Sequence, residues 1–415
     1  MERMKDDCFT ADGLLTLDEA ADRAASSVSL AAGMETVPLG AADGRIAAAD
    51  VRSEADLPRF DNSAVDGFAV RHADLRPDGE TLLPVRGRIA AGDDPAGIEA
   101  AGSAVRIFTG ASMPPGADLV VMQEDVTVAA GVARLPPGLA RGANVRRTGE
   151  DVRLGAVVIP AGRRLRPQDL AVAAAAGLDR LPVRSRLRVA LVSTGNELAE
   201  PGAPLRQGAL HDTNRVMLAA CLARLGAEVR DAGILGDAPD AIATRLAELA
   251  DGADLLVASG GVSVGEEDHV RAAIERVGRL AFWQIAVKPG RSVAIGTVGT
   301  VPFAGLPGNP VAAFVALAFL VRPLLARLGG ETYTPPEGLP VRAAFTHRKR
   351  AGRREFIRAG LAGRNGEPEA VKLARDSSAS LTSLTDSDGL VDLPEATTLV
   401  SPGDVLRFHP YPSLW

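Results

Sequence analysis

The chain has 415 residues, enough for about three domains of ordinary size. Its 46% hydrophobic and 24% charged residues suit a globular protein with sizeable cores, and a net charge of -6 leaves no long basic run for a nucleic-acid surface. Two cysteines cannot build a disulfide framework, and the five scattered histidines lack the spacing of a zinc site.

The start, MERMKDD, is not followed by the apolar core of a signal peptide. The longest strongly apolar run, 311–321, is about half of the ~20 residues a membrane helix needs and reads as a buried helix. The expectation is a cytoplasmic protein with neither membrane nor nucleic acid as partner, in which any anionic ligand needs a local positive site.

Residues 14–25 have helical periodicity, with Thr16 placed to cap the helix ahead of Asp18 and Glu19. Beyond Pro38 the pattern changes to short apolar stretches and turns. PRFDNSAVDGFAV, 58–70, holds a polar turn at Asp61, Asn62 and Ser63 and a second at Asp66-Gly67. Such groups either close Asx turns or reach a ligand. The runs LPVRGRIAAG, AVRIFTGA, ADLVVMQEDV and VARL predict strands, one of them ending at Thr109-Gly110. In 141–151, Arg146 and Arg147 lie beside Glu150 and Asp151, a mixture that more often makes a solvated surface or structural ion pairs than a site. An alanine-rich helix at 170–177 follows, and 182–188 reads as a boundary.

From Arg188 apolar runs alternate with helical spacing. Strands are expected at 189–193, 228–234 and 254–258, and helices at 214–225 and 241–250, the first capped by Asp212 or Thr213. This alternation predicts a parallel sheet with right-handed crossovers. Its strand ends deliver Glu197, Asp237 and Asp268 to one edge. Ser259, Gly260 and Gly261, with Ser263 and Gly265 beyond, form a loop whose glycines permit positive φ and close approach of backbone N–H groups to an oxyanion. Acidic groups beside an anion call for a divalent cation between them, which makes Asp268 a candidate magnesium ligand. The alternative is that 266–268 merely complement a helix dipole. The loop is neither a Walker motif nor a dinucleotide fingerprint.

A strand is expected at 281–287, a basic turn at Lys288-Pro289-Gly290-Arg291, and a hairpin from 293–295 and 301–304. Lys288 and Arg291 either meet an anionic substrate or lie in a solvated turn. The rigid loop 306–310, with Pro307, Gly308, Asn309 and Pro310, opens the helix from Val311 and can present N–H groups and the Asn309 amide to a ligand. After Pro335-Pro336 the chain reads as short strands, a small β-barrel or sandwich, in which Arg353, Arg358 and the 377–380 serine run look like ligand groups.

FDNSAVDGFAV, TGA with PPGAD, GEDV, STGNEL, SGGVSVGEED, KPG and GLPGNP stand in the order seen in the molybdopterin molybdenumtransferases. From about Leu17 to its end the chain resembles this MoeA and gephyrin E-domain family. The resemblance implies a multidomain α/β plus β chain. A discontinuous linking domain (1–50 and 141–182) and a β-rich domain (51–140) would precede a MogA-like, parallel-sheet molybdopterin-binding domain (183–334) and a C-terminal β-barrel (335–415). It also implies insertion of molybdenum from molybdate into adenylylated molybdopterin, with magnesium and loss of AMP.

The same resemblance implies an elongated homodimer whose active site joins the α/β domain of one subunit to the β-rich domain of the other. By motif, Asp66, Thr109, Asp151, Glu197, Asp237, Asp268, Lys288, Pro307 and Pro310 match positions the family uses, and Arg353, Arg358 and Ser380 match its C-terminal part more loosely. Asp237 and Asp268 would serve the metal and diphosphate, and Lys288 and Arg291 molybdate. Implied partners are the molybdopterin adenylyltransferase and cofactor-receiving enzymes. The chain departs from the pattern at Gln284, where many bacterial members carry lysine, at Ala312, where serine is common, and in SSAS, which lacks the usual glycine. Two other readings are a non-catalytic molybdopterin-binding scaffold and a molybdopterin adenylyltransferase. The dispersed acidic residues argue against the first and the large N-terminal region against the second.

Overall fold

The computed structural model describes residues 13–262, 269–364, 367–375 and 377–415. The expected site residues Ser263, Gly265 and Asp268 lie outside them. Thr16 and Glu19 exchange hydrogen bonds, the Thr16 N–H donating to the Glu19 carboxylate at 2.8 Å, and this capping box starts the helix Leu17–Ser26. Its apolar face, Leu17, Ala20 and Ala24, packs into the core of the distant α/β region. Strand Met34–Pro38 pairs antiparallel with Arg180–Arg184, and Val51–Arg52 with Val157–Ile159. Early chain and later segment therefore share one small core around Val37, Val51, Ile159 and Val183.

Between these halves a six-stranded sheet runs in the order Leu119–Met122, Gly67–Val70, Ala104–Ile107, Thr81–Ile89, Val132–Leu135 and Thr127–Ala129. Its period-two pattern fills two cores. Phe68, Val70, Leu119 and Val121 face one side, and Ala69, Val105, Ile107 and Val120 the other.

The α/β region carries a second six-stranded sheet, ordered Glu228–Leu235, Arg188–Thr194, Leu255–Ser259, Val301–Leu306, Ser292–Val298 and Gly278–Gln284. The first four strands are parallel and the last two join antiparallel. Leu255–Ser259 is buried along its whole length, as a continuous apolar run in a doubly covered sheet requires. Asn214–Arg224 covers one face, and Pro239–Ala250 with His269–Val277 the other. Asp212 caps the first of these, accepting the Arg215 N–H at 3.1 Å. Helix Pro310–Ala316 continues through a wider turn at Leu317–Val321 into Arg322–Gly329. These 20 residues are long and apolar enough to span a bilayer, yet 83% of their most apolar window is buried inside the protein. It is a core helix, longer than the apolar run 311–321 suggests.

The strand expected over 281–287 stops at Gln284, and the reason positions the site. The Ala286 N–H donates to the Leu15 carbonyl at 2.8 Å, and Val287–Lys288 then leaves the sheet to pair in parallel with the start of Arg354–Arg364. Lys288 thus sits where the two regions join. Arg354–Arg364, Glu367–Lys372, Leu339–Ala343, Val405–Pro410 and Gly389–Leu393 close on one another as a C-terminal β-barrel around Val341, Ile357, Val391 and Phe408.

Candidate functional site

A cleft of about 760 Å³ opens between the C-terminal ends of the parallel strands and the barrel. On the sheet side its wall is backbone. Gly260 and Gly261 hold φ of 91° and 65°, and a Cβ would lie 2.4 Å from the Thr194 carbonyl oxygen at the first and 2.6 Å from Val270 Cγ2 at the second. Only glycine fits this turn, so the main chain itself forms the cleft wall; the Gly260 N–H donates to the Leu306 carbonyl at 3.0 Å and holds the turn against the next strand. Asn214, 7% exposed, ties this loop to the next: its amide donates to Ser259 Oγ at 2.9 Å and to the Gly308 carbonyl at 2.8 Å. Sequence reading passes over Asn214. Its one signal is an amide in the first turn of an otherwise apolar helix face.

Two carboxylates project from neighbouring strand ends. Asp237 accepts the Asn196 N–H at 2.8 Å, and Glu197 lines the cleft beside it. Behind them the buried Arg215 donates to Asp212 at 2.9 Å and pairs with Asp231 and Glu200, which anchors the helix and the outer strand.

On the barrel side the wall is made of charged side chains. Lys288 pairs at 2.7 Å with Glu355, which is only 3% exposed, and His347 Nε2 lies 3.2 Å from the same oxygen. Lys372 Nζ is 3.3 Å from His347 Nδ1. An ammonium only donates, so Nδ1 accepts and Nε2–H is the donor to Glu355. Burial pushes the His347 imidazole below its ordinary value, in keeping with a neutral ring. The second Glu355 oxygen is buried with no partner among the described residues. Arg358, 4% exposed, donates to Ser383 Oγ and the Ser377 carbonyl, each at 3.1 Å. On the rim, Arg291 Nε donates to the side-chain carbonyl of Gln284 at 3.2 Å.

Of the residues singled out in the sequence, Glu197, Asp237, Gly260, Gly261, Lys288, Arg291, Pro307, Gly308, Asn309 and Arg358 line the cleft together. Ser259 is buried behind the loop, and Pro310 opens the helix. Arg353 sits in the turn before its barrel strand and Ser380 in a turn closed by its N–H to the Ser377 carbonyl; neither is among the lining residues. His347, Glu355, Lys372, Arg375, Ser377 and Ser378 do line it. Only the two serines stand out in the sequence.

Asp66, Thr109 and Asp151 lie elsewhere. Asp66 accepts the Thr109 N–H at 2.8 Å and its hydroxyl at 2.7 Å, and the backbone bond first, then the hydroxyl, holds the carboxyl below the usual range. Asp61 accepts the Thr148 N–H at 2.8 Å and pairs with Arg147 at 2.6 Å, tying the Asp66 stretch to the loop that carries Asp151. The mixed charge around Arg147 is therefore a structural pair. Asp151 itself edges a shallow hollow with Val157 and Val172.

Among the described residues no group of three or more His, Cys, Asp or Glu side chains is arranged to hold a metal. Glu197 and Asp237 suit instead an ion that takes one or two carboxylates and fills its shell with phosphate oxygens and water, the habit of magnesium. The cleft offers a carboxylate-bearing wall with backbone donors on one side and a cationic wall on the other.

The chain matches the MoeA N-terminal region (domain I and II) over 15–177, a "Probable molybdopterin binding domain" over 190–327, and the MoeA C-terminal region (domain IV) over 340–411. It is 37% identical over 401 residues to a molybdopterin molybdenumtransferase of Haemophilus influenzae, covering 96% of this chain and 99% of that one. It is 36% identical over 383 residues to molybdopterin molybdenumtransferase 2 of Mycobacterium tuberculosis, covering 90% and 94%. The solved structure of a molybdopterin biosynthesis moeA protein from Pyrococcus horikoshii matches with a TM-score of 0.82 at 28% identity, over 96% of this chain and 100% of that one. With both terminal regions, the domain between them and near full-length identity above 30%, the chain belongs to the molybdopterin molybdenumtransferase (MoeA) family.

Proposed function

We propose that this protein is a transferase of molybdenum cofactor biosynthesis that inserts molybdenum from molybdate into adenylylated molybdopterin and releases AMP. The observation that carries the reading is the two-walled cleft. Its substrates are a diphosphate and an oxyanion, and the cleft provides backbone donors with two carboxylates for the first and a cationic wall for the second. Glu197 and Asp237 would hold magnesium, which when bound polarises the phosphoanhydride. The Gly261 N–H orients the phosphates, the Gly260 N–H pins the turn by donating to the Leu306 carbonyl at 3.0 Å, and the loop 307–309 fixes the other edge. Lys288, held at the domain junction by Glu355, and Arg291, steadied by Gln284, gather molybdate. Asp268 is assigned to the same metal and diphosphate by motif alone.

The reading includes a cytoplasmic homodimer in which Asp66, Thr109 and Asp151 of one subunit close the cleft of the other. Its support is that these three lie outside the cleft of their own chain. Adenylylated molybdopterin would arrive from the adenylyltransferase, and the finished cofactor would leave to receiving enzymes. The test follows AMP release from purified protein and adenylylated molybdopterin. Release that requires both molybdate and magnesium is expected; binding without cleavage would favour a scaffold.

A further inference from the structure

Away from the cleft, where the early chain meets the α/β sheet, a second set of charges converges. Arg45, Arg164, Arg184, Arg186 and Arg322, with Glu331, line a small cavity. Two of these guanidiniums are matched by carboxylates: Arg164 forks onto Glu331, with Nε at 2.9 Å, and Arg45 pairs with Glu35. Among the described residues the other three have no carboxylate within ion-pair distance.

Arg186 donates to the Gly226 carbonyl at 3.2 Å, and Arg322 to the Ser413 carbonyl at 3.1 Å while facing the Tyr333 ring. Among the described residues the Arg184 Nε–H, buried beside Gly330, has no hydrogen-bond partner. Burial also pushes the Arg322 guanidinium below its ordinary value, as expected of a desolvated cation. The groups approach a common space: a Cβ on Gly226 would lie 3.3 Å from Arg164 Nη1 and 3.9 Å from Arg186 Nη1. Gly226, at φ 90°, leaves that space open.

Like charges gathered in half-buried surroundings repel and lose hydration unless a counter-charge joins them. Planar guanidinium forks match the oxygens of a tetrahedral anion. We propose that this cavity binds a small tetrahedral dianion with the chemistry of inorganic phosphate or sulfate, separate from the substrate cleft. Its ligands come from both sides of a junction, Arg184 and Arg186 from the end of the early mixed region and Arg322 from the long core helix, beside Arg45 and Arg164 held by their own carboxylates, so the bound anion clamps the two regions together.

The site stands independently of the function assigned to the cleft. The test follows thermal unfolding of the full chain against phosphate, sulfate, molybdate and, at matched ionic strength, chloride. Phosphate or sulfate should raise the melting temperature saturably where chloride does not, and should still do so in Lys288→Ala. In Arg186→Gln the concentration giving half the shift should rise about tenfold or more, the worth of one charge-assisted contact, and Arg184→Gln should behave alike. Arg186 is exposed, so its variant should fold and keep wild-type AMP release. A lower half-shift concentration for molybdate than for phosphate would assign the site to the substrate's own anion, and the reverse order to phosphate or sulfate. An equal shift with chloride, no saturable shift, or a shift lost in Lys288→Ala but kept in both arginine variants would overturn the site.

Discussion

At the sheet wall of the cleft, Gly260 and Gly261 bring the main chain to the surface in a turn that admits no side chain, the Gly260 N–H bonds the Leu306 carbonyl, and Asn214 bolts that turn to the loop at Gly308. At the barrel wall, Lys288 and His347 share one buried carboxylate, Glu355, and Lys372 reaches the far side of the histidine. The first wall is fixed by backbone geometry and works by position. The second is set by ionisation and hydrogen bonding, and works by charge. Substitutions should therefore act on the rate and fold at one wall, and on anion affinity and pH response at the other.

The largest effect is expected from Asp237→Asn. The side chain retains its shape and its place beside the Asn196 N–H, but the sheet wall loses a charge. Transfer should drop at least about a hundredfold, as when a preorganised electrostatic group is lost, with the melting temperature unchanged. A near wild-type rate of AMP release would remove Asp237 from the chemistry. Next comes Gly260→Ala, where positive φ and a contact of 2.4 Å to the Thr194 carbonyl must both be relieved. Chemical denaturation should show a loss of roughly 2–3 kcal/mol; a wild-type midpoint would mean that the turn yields.

Glu355→Gln probes the other wall. The amide oxygen can still accept from His347, but Lys288 loses its counter-charge, and the half-saturating molybdate concentration should fall several-fold, an effect weakened by salt. A rise would show that Glu355 acts by holding Lys288 in place and not by offsetting its charge.

The smallest effect is a pH dependence. His347 is held below its unfolded value of about 6.5, so near that pH the unfolded chain binds more protons than the native one. Its contribution is present above that value and is lost as pH falls through the lower native value. His347→Gln should flatten this acid-side decline in stability, and an unchanged slope would assign the decline to other groups.

The two walls also differ in how far they can be read from sequence. Unbroken apolar runs such as 254–258 predict buried parallel strands, and connectivity alone then sends Glu197, Asp237 and the glycine loop to one edge. The barrel wall escapes this logic. His347, Glu355 and Lys372 come from three separate strands whose pairing no local pattern announces, and they look like ordinary solvated charges. Lys288 is visible as a basic turn, yet its setting depends on the exit of Val287–Lys288 from one sheet to join another fold unit. Asn214 is hidden because its task, linking two loops, is defined only by tertiary contact. Arg353 and Arg358 look equivalent in sequence, but a turn position and a strand position direct them differently, and only Arg358 lines the cleft.

The most direct test of a two-walled cleft is a molybdate titration of AMP release for Lys288→Ala and Asp237→Asn side by side. Lys288→Ala should raise the half-saturating molybdate concentration and largely keep the maximal rate, while Asp237→Asn should lower the maximal rate and keep the half-saturation point. Equal changes in both parameters for both variants, or wild-type molybdate dependence in Lys288→Ala, would contradict the division of labour between the walls.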